Sequence, residues 1–273
     1  MNVFVIDLKA NAKALAVWSV TLAFLDIVGV MKFSGFADGG VEATQQVIDA
    51  FPSVVLAVLG ISGLNVATFP GFYAVLMFYI GIMAAAYGVQ LGHGAVAREI
   101  ADGTCEFLFT RPRSRASILT AKLVAALACV IVFCAVNLLS SAAGYALMDG
   151  PSTADAIPWK LFAAFTAWTA LTALVFCALG AVLAACCRRM ERAALIGGGA
   201  VVLCYLAAVV YDMFPDHAGV SLIARLCSPM RYWPPVELLD GTVSLPFTLL
   251  AAALVAAALA AAYTAFAKRD LVE

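Results

Sequence analysis

Six long apolar stretches decide what this chain can fold into. They lie near residues 14–32, 69–92, 120–147, 161–187, 193–213 and 245–267. Each is long enough to cross about 30 Å of hydrocarbon as a helix rising 1.5 Å per residue. Composition closes off the soluble alternative: 64% of residues are hydrophobic and 12% charged, with a mean hydropathy of +1.01. A soluble fold with so few charges would precipitate. The expected class is an all-α, polytopic membrane protein with six transmembrane helices, a single membrane domain over residues 1–273.

The charges between these stretches alternate by side. One side collects Lys9, Lys13, Arg98, Arg111, Arg113, Arg115, Lys122, Arg188, Arg189, Arg192, Lys268 and Arg269; the other collects Lys32, Lys160, Arg225 and Arg231. A split of twelve against four places both termini in the cytoplasm by the positive-inside bias. The rival topology adds a seventh span at Phe51 to Leu64. That run suits an interfacial or re-entrant helix better than a crossing, and crossing there would move Arg98 and Arg111 to Arg115 away from Lys9 and Lys13. Asp7 in the would-be basic leader, and an apolar core past signal-peptide length, argue against a cleavable signal. Of the eight cysteines, Cys227 alone falls clearly outside, so no intrachain disulfide is expected. Cys129, Cys134, Cys177 and Cys204 read as small packing residues. Cys186 and Cys187, beside Arg188 and Arg189, read either as span-end packing or as acylation sites.

Outside the spans the chain is short of independent structure. Residues 2–13 are amphipathic at helical spacing: Phe4, Leu8 and Asn11 share an edge, while Asp7, Lys9 and Lys13 mark polar positions. They fit an amphipathic N-terminal helix in the interface, or a simple polar leader. The last outward segment, 214–244, carries Pro215, Pro229, Pro234 and Pro235 with Tyr232 and Trp233. That suits broken helices at headgroup depth, or an aromatic interface belt.

A search for chemistry excludes more than it finds. There is no Gly-Lys dipeptide and hence no P-loop. His93 and His217 are isolated and lie in no metal spacing; neither a catalytic group nor a metal site is expected. Gly60-Ile61-Ser62-Gly63 matches the Gly-x-Ser-Gly of intramembrane proteases, but no base is placed to serve Ser62, and Gly60 and Gly63 read as a bend. Asp26, Lys122 and Asp212 are expected near span ends, within reach of the interface. A span interior without carboxylate or lysine argues against proton or sodium coupling. Asn137, Ser140 and Ser141 in the third span either join helices or line a path for substrate. The charge pattern gives no reason to expect nucleic acid as a partner.

The remaining feature is a polar island, residues 98–115, between the second and third spans. It holds four arginines, two intercalated glutamates and an apolar patch, Phe107-Leu108-Phe109, that should not face water unpartnered. Gly103-Thr104 would break a helix there. The pattern formed by Glu99, Gly103, Thr104, Glu106, Leu108, Pro112, Ser114 and Arg115 resembles the first cytoplasmic loop of ABC-2 type transporter permeases. The amphipathic N-terminal "elbow" helix, Trp18 and the last outward loop are similar to that family more weakly. The resemblance implies a coupling helix that docks on a separate ATPase, with Glu99, Gly103, Thr104, Glu106, Phe107, Leu108, Pro112 and Arg115 as the docking residues. It further implies two ATPase subunits, which carry the ATP and Mg, and a second permease chain, identical or sister. The chain itself would be no enzyme and bind no cofactor. An uncharged bundle interior suits export of an amphipathic or lipid-like substrate, with membrane lipid as a neighbour. The expected location is multi-pass in the plasma membrane, as in a bacterial inner membrane. The alternative is a non-transporting membrane scaffold or regulatory protein.

Overall fold

The computed structural model describes residues 3–38, 46, 48, 50–101, 114–148, 157–187 and 189–268. In chain order the helices are α1 (Val3–Asp38), α2 (Ser53–Val58), α3 (Phe69–Ala101), α4 (Arg115–Ala146), α5 (Trp159–Cys186), α6 (Met190–Met213), α7 (Ala218–Cys227), a 3₁₀ turn (Pro229–Arg231), α8 (Pro235–Leu239) and α9 (Leu245–Lys268). Six of them are long and apolar enough to cross a membrane, and they fall on the six stretches read from the sequence. The described residues contain no strand. The seventh-span alternative fails: α2 has six residues, too few to cross. It is closed by the Ile61 N–H reaching back 2.9 Å to Leu56 O. Gly60 and Gly63 supply the bend expected of them, with φ of +71° and +72°, a region open to glycine at little steric cost.

One expectation is corrected at the N-terminus. Residues 3–13 form no separate interfacial helix; α1 runs unbroken from Val3 to Asp38. No glycine or proline interrupts Val3 to Val28, so nothing in the sequence ends the helix there. Nor does Asp7 face outward. Asp7 and Asn11, one turn apart, are both buried.

The centre of the bundle is the pair α3 and α5, which pack along most of their lengths. Small residues spaced by four make this approach possible. Gly88 and Gly92 on α3 lie against Ala173 and Cys177 on α5. A Cβ on Gly92 would stand 1.8 Å from Cys177 O, and one on Gly180 would stand 2.4 Å from Val89 O. Helix α4 packs on α1, α9 on α5, and α6 against α3 and α5. Where α3 and α5 begin, Phe69, Tyr73, Phe162, Phe165 and Trp168 interlock, mostly edge-to-face. Large apolar side chains remain exposed on outer faces, among them Val20 and Phe24 on α1, Leu195 and Leu203 on α6, and Leu249 on α9. Such a surface is suited to hydrocarbon rather than water.

The segment after α6 is broken into short helices, as its prolines suggest, and each piece is pinned. Trp168 Nε1 donates to Met230 O at 3.1 Å, and Ser228 Oγ donates to Cys204 O at 2.8 Å. Trp233 Nε1 reaches Thr248 Oγ1 at 2.8 Å. Tyr232 OH donates to Leu226 O at 3.1 Å; burial pushes the pKa of this phenol up to about 12, so it keeps the proton it donates.

Candidate functional site

The polar island joins α3 to α4. The side chains of Glu99, Gly103, Thr104, Glu106, Phe107, Leu108 and Pro112 lie outside the described residues, as does Cys105. The two roots of the island are described, and they meet on one carboxylate. Arg98, in the last turn of α3, donates from Nη1 to Asp7 Oδ1 at 2.8 Å and from Nη2 to Asn11 Oδ1 at 2.6 Å. Asn11 Nδ2 returns a bond to Asp7 Oδ2 at 3.3 Å. Lys122, two turns into α4 and 2% exposed, brings Nζ to 3.9 Å from Asp7 Oδ1. The start of α1 thereby clasps the end of α3 and the beginning of α4. Ser114 caps α4 by accepting from Ser117 N–H at 3.2 Å, and Arg115 Nη1 donates to Ala267 O at the end of α9, 3.2 Å away. Each helix adjoining the island is thus fixed to another before the island begins. Further along α1, Trp18 Nε1 donates to Gln90 Oε1 at 2.7 Å.

Asn137, Ser140 and Ser141 come together with Asp26. Ser140 Oγ donates to Asp26 Oδ2 at 2.6 Å and Ser141 Oγ at 3.2 Å. Tyr73 OH lies 2.9 Å from Ser141 Oγ, so the chain of hydrogen bonds runs from α3 through α4 to α1. Asn137 Nδ2 donates to Thr166 Oγ1 on α5 at 3.1 Å. These bonds tie four helices at one level. They also correct the expectation that Asp26 and Lys122 reach the interface. Asp26 has no exposed surface and Lys122 almost none. Asp26 is near an end along the helix axis, since Ser141 lies five residues from Ala146, roughly 8 Å at 1.5 Å per residue, but it is enclosed laterally by α3 and α4.

The third polar cluster lies at the opposite end from the island. Arg231, 1% exposed, pairs with Asp212 at the end of α6, and its guanidinium lies 4.7 Å from the centre of the Phe78 ring. Asp212 is therefore held by an ion pair instead of extending to the interface. Arg225 on α7 pairs with Glu237 on α8 at 2.8 Å and covers Phe247 at 4.1 Å. Of the histidines, His93 Nε2 bonds Met190 O at 3.1 Å and His217 meets the Phe214 ring edge-on. Among the described residues no group of three or more His, Cys, Asp or Glu side chains could hold a metal. No disulfide joins the described cysteines, and Cys227 is exposed.

Six apolar helices of crossing length, joined through buried polar bonds and surrounded by apolar outer faces, define a multi-pass helical membrane protein. A family model described as ABC-2 family transporter protein matches residues 1–271. The chain belongs to that family and is the membrane component of a transporter, a component that is not itself catalytic. Permeases of this family generally work with an ABC ATPase. No curated protein matches the chain.

Proposed function

We propose that this chain is the permease subunit of an ATP-driven exporter, receiving the force of ATP hydrolysis through residues 98–115. The observation that carries this reading is the clasp on Asp7. A loop that transmits force needs roots that move as a unit, and Arg98 and Lys122 fasten both roots to α1. A push on the island would then be delivered to α1, α3 and α4 together. In this arrangement the island end and both termini face the cytoplasm, where a soluble ATPase would meet Phe107 and Leu108 as apolar anchors, with Glu99 and Glu106 around them. Two permease chains and two ATPase subunits make the assembly. Asp26 and Asn137 each bond to a neighbouring helix, and the exposed faces of α1, α6 and α9 are apolar, which favours an amphipathic or lipid-like cargo.

Pull-down of the ATPase from detergent extracts tests the docking. Apolar anchors at an interface centre cost about 2 kcal/mol or more when truncated, and about 1.4 kcal/mol is a factor of ten. Phe107→Ala is therefore expected to weaken ATPase retention at least tenfold. Glu106→Gln should weaken it less, and mainly at low salt. Equal recovery from wild type and Phe107→Ala would refute coupling through this loop.

A further inference from the structure

Helices α4 and α9 are joined at the island end of the bundle by two bonds. Arg115 Nη1 donates to Ala267 O at 3.2 Å, and Thr120 Oγ1 lies 2.7 Å from Tyr263 OH. Past that point a groove of about 230 Å³ lies between them. Leu123, Val124 and Leu127 of α4 form one wall, and Val255 and Leu259 of α9 form the other. Leu174, Cys177 and Ala178 of α5 make the floor. Thr120 and Tyr263 stand at the lip, and the rest of the lining is apolar.

Depth decides what meets this lining. The groove runs from the level of Thr120 to that of Leu127, and from Tyr263 to Val255, roughly 10–12 Å at 1.5 Å per residue. It begins about 7.5 Å from the island ends of the two helices, at Arg115 and Lys268. It is built wholly from spans of crossing length, and Val124 and Leu127 are 47% and 42% exposed at its edge. An apolar trough at that depth opens on hydrocarbon, so an acyl chain is its natural filling. The mouth sets the headgroup. Arg115 opens α4 and Lys268 closes α9, and the bond to Ala267 O brings the guanidinium to the residue before Lys268. Neither α4 nor α9 contains an aspartate or a glutamate. Basic sites between spans on the cytoplasmic side attract anionic headgroups.

We propose that this groove seats one acyl chain of an anionic phospholipid whose phosphate rests on Arg115 and Lys268. The lipid is a resident of the bilayer and not the cargo. Its assignment to the inner leaflet rests on the orientation proposed above. The binding itself does not, because it is read on the permease chain alone and would stand if coupling through residues 98–115 failed.

The experiment titrates the purified full-length chain in detergent with dioleoyl-phosphatidylglycerol and dioleoyl-phosphatidylcholine, and reads binding by native mass spectrometry. Wild type should bind one phosphatidylglycerol per chain at least tenfold more tightly than phosphatidylcholine. Val124→Trp, which fills the groove from an exposed wall position, should lose at least tenfold in affinity for phosphatidylglycerol with an unchanged thermal midpoint. Leu195→Trp, on the exposed face of α6, adds bulk elsewhere and should bind as wild type does. Arg115→Gln and Lys268→Gln together should abolish the preference between the lipids and leave phosphatidylcholine binding unchanged. Equal affinity of wild type for the two lipids, full binding by Val124→Trp, an equal loss in Leu195→Trp, or a preference that survives the double substitution would each overturn the proposal. Lipid carried by single chains but absent from paired chains would overturn it as well, by showing that a second copy covers the groove.

Discussion

Asp7 is a buried carboxylate held by one arginine, one asparagine and one lysine from three helices. Removing its charge leaves Lys122, 2% exposed, and Arg98, 26% exposed, without their shared counter-ion. Breaking such a pair from one side costs about 3 kcal/mol. Asp7→Asn should therefore lower the midpoint of unfolding in a dodecyl sulfate titration, and adding Arg98→Gln should recover part of the loss. If Asp7→Asn unfolds with wild type, the clasp contributes nothing. Asp26 is a gentler case. Ser140 also bonds Asn137 O at 3.1 Å, and Ser141 keeps Tyr73, so Asp26→Leu should cost about 1 kcal/mol, near the usual worth of an interhelical bond in a membrane protein. Asp26→Asn, which retains an acceptor, should cost less in the same titration. Neither environment was legible in the sequence. The residue types were visible, but their partners lie 91 and 114 positions away, and helical periodicity reports only neighbours three or four residues apart. The i, i+4 spacing of Asp7 and Asn11 was the available sign that the polar edge of α1 faces inward.

Among the helices, α3 and α5 hold the closest approach, and it depends on absent side chains. Gly92→Ala places a methyl where Cys177 O sits, so the pair must separate; overpacking of this kind costs about 1–3 kcal/mol. At Gly198 on α6 an added methyl would meet nothing within 4 Å, and Gly198→Ala should be neutral or slightly stabilising, as alanine favours helix over glycine. Thermal unfolding of the two variants in one detergent separates the cases, and an equal shift in both would dismiss the packing argument. The six spans themselves were readable because apolar length is a property of the sequence alone. The continuity of α1 was readable too, from the lack of any helix breaker before Val28, but amphipathicity at residues 2–13 suggested an interfacial helix instead. Inward and outward polar edges look alike until Arg98 is placed beside them.

For the whole molecule, the twelve-to-four charge split sets the orientation to be tested. On intact cells, Cys227 should react with a membrane-impermeant thiol reagent, and Cys105 should react only after the inner side is opened; labelling of Cys105 from outside would reverse this orientation. The roots of the island, at Arg98 and Ser114, and the Arg231–Asp212 pair sit at opposite ends of the bundle, spanned by α3, α4 and α6. The family was legible from the 98–115 pattern, since Glu99, Gly103, Glu106 and Pro112 are specified by spacing. The far-end pair was not, because no local pattern announces that Arg231 will meet Asp212. The clasp also imposes an order on synthesis. Asp7 leaves the ribosome 91 residues before Arg98, roughly 5–20 s at 5–20 residues per second, so α1 waits beside the translocon before its arginine exists. A nascent chain stopped before residue 98 should leave α1 loosely seated and open to extraction by alkali, and lengthening it past residue 122 should fix α1 in place, making the second and third spans the event that commits the first.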